Sequence, residues 1–151
     1  FHCSPNPILK FQALAAAPTQ IDQAIAHYHA ATARFAGNLR LHTMLGNMAI
    51  KQLGSEPEIL RQVVRAMANV PDGPSANVSE AQSRILCRLL EAEAAARLDL
   101  PDDAAIALER AVVLATSATL PEGARAWATR EIARVRDLLP AAAPERQTTR
   151  K

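Results

Sequence analysis

The chain repeats itself, and the period of the repeat limits what it can become. Ile8, Phe11 and Ala15 recur as His42, Leu45 and Ala49, each 34 residues later. Ala24, Tyr28 and Ala31 recur as Ile59, Val63 and Ala66, each 35 residues later. A fixed period of this length is the mark of a two-helix unit that cannot bury its apolar side alone and must stack on neighbours. Ala66 next recurs as Ala111 after a step of 45, so about 11 residues are inserted ahead of the third unit. They fall in the turn-rich stretch Asp72-Gly-Pro-Ser-Ala-Asn-Val-Ser79.

Apolar spacing of three to four residues predicts seven helices, and no segment alternates with the period of a strand. The first opens at Pro5-Asn-Pro7 and carries Ile8, Phe11, Leu14 and Ala15. The second runs from Gln20 to Phe35, with Thr19 as its cap. The third spans Leu39 to Leu53 and stops at Gly54. Ser55 and Glu58 form a capping box for the fourth, which closes before Pro71. The fifth runs from Ser79 to Leu98. The sixth follows Leu100-Pro-Asp-Asp103, with Asp102 or Asp103 as cap. The seventh opens at Pro121-Glu122, turns Trp127, Ala128, Ile132, Val135 and Leu139 inward, and shows Arg125, Arg130, Glu131, Arg134 and Arg136 outward, as a terminal capping helix requires. Composition agrees: apolar residues make up 49% of the chain but aromatics only 3%, a mixture of alanine and leucine that suits close helix packing.

A chain of 151 residues reads as one domain, here residues 1–140, followed by a polar end at 141–151 that is expected to be a flexible tail. The net charge of +2, with both signs interspersed, lacks the basic stripe of a nucleic-acid binder. No apolar run reaches the length of a membrane span. Cys3 and Cys87 are too few for a disulfide framework; Cys87 reads as a buried free thiol, and a Cys3–Cys87 bridge would imply an oxidising compartment.

The segment Ala24-Ile-Ala-His-Tyr28-His-Ala-Ala31, with Leu45-Gly46 and the closing Pro71, resembles the tetratricopeptide repeat. Leu45-Gly46 matches that family's Leu-Gly pair, and Ala24 with Tyr28 matches its Ala-aromatic spacing. His42 stands where the family carries a large aromatic, and Ile59 and Val63 replace the Ala and aromatic of the second unit. The resemblance implies an all-α, right-handed superhelical stack of about three helix-turn-helix units over residues 5–118, closed by the seventh helix. It also implies that the first helix of each unit lines a concave groove. Arg40, Thr43, Asn47 and Lys51 would then face that groove, with Arg84 and Arg88 nearby and Asn6 and Lys10 from the first helix, as a mildly basic cradle for the carboxylates of a peptide. The family's chaperone clamp uses Lys and Asn residues; here Asn47 with its flanking basic residues matches, and Thr43 occupies a position where lysine is wanted.

The expected function is thus a non-catalytic protein–protein interaction module that holds a peptide or helix of a partner. No Gly-rich phosphate loop, nucleophile–base pair or metal-ligand spacing occurs, so neither cofactor nor metal is expected. His27 and His29 lie two apart on a helix and point in divergent directions. The chain begins with Phe1 rather than Met, which motivates a second expectation. In it the chain is the soluble accessory domain of a larger, membrane-embedded enzyme, in an arrangement similar to that of O-antigen ligases or protein O-glycosylation glycosyltransferases. The location would be cytoplasmic in the first case and periplasmic in the second.

Overall fold

Among residues 6–140, which the computed structural model describes, there are seven α-helices and no strand. They are α1 (Pro7–Ala15), α2 (Ile21–Arg34), α3 (Leu39–Leu53), α4 (Pro57–Ala68), α5 (Val78–Arg97), α6 (Pro101–Ser117) and α7 (Glu122–Arg136), with one 3-10 turn at Pro18–Gln20. The all-α reading holds, and α3 begins and ends where the apolar spacing places it. The expected tail at 141–151 and Cys3 lie outside the described residues, and with Cys3 the proposed bridge. Cys87 is free and buried.

Asparagine does most of the capping. Asn6 accepts from the Ile8 amide at 2.9 Å, Asn38 from Leu41 at 3.0 Å, and Asn77 from Glu80 at 2.8 Å. The caps expected at Thr19, Ser55 and Asp102 or Asp103 are not formed. Thr19 lies within the 3-10 turn, and the N-cap positions of α2, α4 and α6 belong to Gln20, Glu56 and Leu100, none with a side-chain cap bond. Pro57 and Pro101 explain two of these: a proline in the first turn has no amide to satisfy and fixes φ for the helix, so the start moves to the proline. Glu58, freed from the capping box, instead accepts from Arg61 and Gln62 one turn on.

Contacts between helices run down the chain in order. α1 packs on α2 and α3, α2 on α3 and α4, α3 on α4 and α5, α4 on α5, α5 on α6 and α7, and α6 on α7. No helix touches one more than two places away. Two apolar clusters result. One gathers Phe11, Tyr28, Leu45, Ile59, Val63 and Met67 from α1–α4; the other gathers Leu108, Ala111, Ile132 and Val135 from α6 and α7. α5 belongs to both: Cys87, Leu90 and Ala94 face the first cluster, and Ala81, Ile85, Leu89 and Ala92 face the second. A helix buried on both sides has no single apolar stripe, which is why spacing alone underestimates its burial.

The repeat is visible in what is buried. Phe11 and Leu45 are fully covered, as are Tyr28 and Val63, and Leu90, Ala94, Ala104 and Leu108, each 45 residues after Leu45, Ala49, Ile59 and Val63, are buried as well. Gly46 sits where α3, α4 and α5 approach closely. A Cβ there would meet Met67 Cε at 2.5 Å and Leu90 Cδ1 at 3.2 Å, with the Tyr28 hydroxyl at 3.7 Å. Gly54 is likewise needed for space and not for its φ of −65°, since a Cβ would fall 2.3 Å from the Ile50 carbonyl oxygen.

The start of the insertion between α4 and α5 is tied to α5 and α6 through Asp72, which meets Arg88 and Arg110. Arg88 is 0% exposed. Its Nη2 donates to the carbonyls of Met67 and, at 2.7 Å, Val70; its Nη1 donates to Glu91 Oε1 at 2.8 Å. Its Nε faces Asp72 Oδ1 at 3.3 Å, close enough for an ion pair but off the hydrogen-bond axis. Arg110 binds the other Asp72 oxygen at 2.7 Å. A cation thus meets the carbonyls at the end of α4, where Met67 also accepts from the Val70 amide at 3.0 Å, and it suits the negative end of the helix dipole.

Candidate functional site

Only part of the expected groove set comes together. Arg40, Asn47 and Lys51 are all exposed and sit at positions i, i+7 and i+11 of α3, within about 20° of one line along the helix. Near the start of that line, a cleft of about 720 Å³ opens between the N-terminal ends of α3 and α5, walled by Asn38, Arg40, Pro71, Asn77, Ser79, Glu80, Ser83 and Arg84. Arg40 and Arg84, expected from sequence to be neighbours, therefore share one cavity.

The other members are placed elsewhere. Arg88 is not on a surface: it is the buried clasp of the insertion, with its donors committed internally, so it is withdrawn from the groove set. Thr43 is also buried, and its hydroxyl donates to the Arg40 carbonyl at 2.9 Å one turn back. Asn6 is spent as the cap of α1, and neither it nor the exposed Lys10 lines the cleft. Asn47 and Lys51 continue along α3 beyond it.

The cleft favours negative charge at one side. The positive dipole ends of α3 and α5 both open on it, with their capping Asn38 and Asn77 in its wall. Arg40 makes no ion pair among the described residues. Arg84 is partly neutralised: its Nη2 bonds Glu80 Oε2 at 3.0 Å, and its Nη1 donates to the Pro71 carbonyl. Sequence reading missed Glu80, Asn77, Ser79 and Ser83. The i, i+4 spacing of Glu80 and Arg84 was the available signal for the first of these.

The histidines serve the packing. His27 Nε2 meets the Pro7 carbonyl at 3.0 Å, tying α2 to the start of α1, and His29 Nδ1 meets Gln62 Oε1 at 3.1 Å, tying α2 to α4. No group of three or more metal-ligating side chains exists among the described residues. His42 is buried, and neither ring nitrogen reaches hydrogen-bond geometry. Burial holds its pKa below the ordinary 6.5, although the nearby carbonyls of Phe35 and Ala36 favour the charged ring. A buried neutral imidazole destabilises the fold on acidification, because the unfolded chain takes up a proton that the folded chain resists. Stability is expected to be complete above pH 6.5 and to fall below it, with His42 contributing at most about 1.4 kcal/mol per pH unit. Urea melts across that range check this, and His42→Leu should flatten that part of the profile.

No family model, curated protein or solved structure matches the chain. No helix among the described residues is long and apolar enough to cross a membrane.

Proposed function

We propose that the chain is a non-catalytic interaction module, a tetratricopeptide-like stack with right-handed superhelical curvature, which holds an acidic segment of a partner protein along α3. The convergence of Arg40 and Arg84 on one cleft, at the positive ends of two helices, carries this reading. Three further features support it. Helices touch only near neighbours in the chain. The same repeat positions are buried in successive units. Gly46 allows a backbone approach of the kind expected from the Leu-Gly pair. The aligned Arg40, Asn47 and Lys51 extend the cleft into a track on which carboxylates can be met one after another.

Binding of a fluorescent peptide rich in Asp and Glu, compared with its Asn/Gln counterpart, tests the proposal. The acidic peptide should bind more tightly and lose affinity as salt is raised. Arg40→Glu combined with Lys51→Glu, both at exposed positions, should weaken it by about tenfold or more, corresponding to ~1.4 kcal/mol. Equal binding of the two peptides, or full binding by the doubly reversed variant, removes the cleft from consideration.

A further inference from the structure

The serial packing leaves α1, α6 and α7 with two helical neighbours each. α3 is flanked by α1, α2, α4 and α5, and α5 by α3, α4, α6 and α7, whereas α7 meets only α5 and α6. Its exposed positions are polar, Ala or Gly, and the apolar surface lies in the seam with α6. Between α6 and α7 runs a groove of about 640 Å³, floored by Val112, Ala115, Leu120, Ala128 and Ile132.

Its shape is that of a missing helix. The α7 residues that line it are Arg125, Ala128, Thr129, Ile132, Ala133 and Arg136, at successive steps of three, one, three, one and three. That is a single stripe three turns long, about 16 Å by the rise of an α-helix. It is the footprint used when an amphipathic helix lies in a groove through residues at i, i+3, i+4 and i+7.

Its charge selects the occupant. The ionisable residues of the lining are Arg125 and Arg136, one at each end of the stripe, and no carboxylate is among them. Arg125 donates one bond to the Leu120 carbonyl, and neither arginine makes an ion pair among the described residues. Arg130 lies exposed on the same helix. By contrast Arg134, which points towards α5, is matched by Glu93 at 3.2 Å and Glu131 at 3.1 Å. Cations are neutralised where α7 meets its own chain and left open where the groove begins.

We propose that the α6–α7 groove docks an amphipathic helix of another protein, about three turns long, with a small apolar stripe flanked by Asp or Glu. The site is separate from the cleft at Arg40 and stands without it. The partner helix extends the stack by one place, covering the half-buried Val112 and Ala115 and the exposed Ala133 and setting its acidic flanks against Arg125 and Arg136.

The probe is a stapled 14-residue helix with Leu and Ala on one stripe and Glu on both flanks, titrated into the full chain by fluorescence anisotropy. A Lys-flanked twin and a scrambled peptide are the controls. Saturable binding of the Glu-flanked helix is expected, at least tenfold tighter than either control. Ala133→Glu and Arg136→Glu alter exposed positions and leave the core intact, so each should weaken binding by about tenfold without changing the melting curve. Arg40→Glu should have no effect here, which keeps this result apart from the first site. No saturable binding, equal binding of the Lys-flanked twin, or indifference to both α7 variants overturns the proposal. A concentration-dependent dimer abolished by Ala133→Glu overturns it in favour of a second copy. Peptide binding that emerges only after removal of residues 141–151 overturns it in favour of the chain's own end.

Discussion

Replacement of Arg88 by alanine is expected to cost about 3–5 kcal/mol of folding stability. The guanidinium is fully buried and bonds the carbonyls of Met67 and Val70 together with Glu91, and it faces Asp72. Its removal takes the side-chain donors from the Met67 and Val70 carbonyls, leaves the half-buried Glu91 carboxylate without its ion-pair partner and opens a cavity beside Asp72. Burial already pushes the Glu91 carboxyl above its ordinary pKa, and Arg88 is the main group opposing that shift. Without Arg88 the shift grows. A carboxyl whose folded pKa exceeds its unfolded value binds its proton more tightly in the fold, so the variant should recover stability as pH falls through the carboxylate range. Urea melts at neutral and acidic pH read both effects. Arg88→Ala combined with Glu91→Gln should be less damaging than the sum of the two changes, since the partners form one network. A loss under 1 kcal/mol would mean that the insertion is held by something else.

Gly46→Val should be nearly as damaging, at about 3 kcal/mol. Even the first added carbon lands 2.5 Å from Met67 Cε and 3.2 Å from Leu90 Cδ1. Alanine is the milder case: Met67 ends in a flexible methyl, and alanine is the better helix former by about 1 kcal/mol, so part of the strain is offset. Valine adds two further carbons, and Met67, Leu90 and Tyr28 are all buried and have little room to move. Thermal melts of Gly46→Ala and Gly46→Val should therefore show a small change and a large one. Equal melting temperatures for wild type and Gly46→Val would mean that α3, α4 and α5 do not approach as closely as described.

The helical class was legible because α2, α3 and α4 each put apolar residues on one side, and three-to-four spacing reads such helices directly. α5 was legible as a helix but not in its burial. The spacing argument assigns one inward stripe, and α5 has two, so Arg88 was read as a groove residue when it is the largest fully buried side chain among the described residues. What engages Arg88 is the end of α4 and Asp72 at the start of the insertion, and the period marks that insertion by length without saying where it folds. Thr43 was misplaced for a local reason: a helical threonine can satisfy its hydroxyl on the carbonyl one turn back and so tolerate burial. The pairing of Arg40 with Arg84 followed from the expectation that α3 and α5 are the first helices of successive units. Asn6 and Lys10 stand apart because α1 packs on α2 and α3 and does not reach α5.

The helices are laid in series, with α5 as the joint between two clusters. Methyl–methyl Overhauser contacts test it most directly. α5 should connect both ways, through Leu90 to the cluster holding Leu45 and Met67, and through Ile85 and Leu89 to the cluster holding Leu108 and Ile132. No contact should join α1 or α2 to α6 or α7. A set of contacts linking Ile8 or Ile25 to Leu108 or Ile132 would show helices gathered about a common centre and would contradict the account.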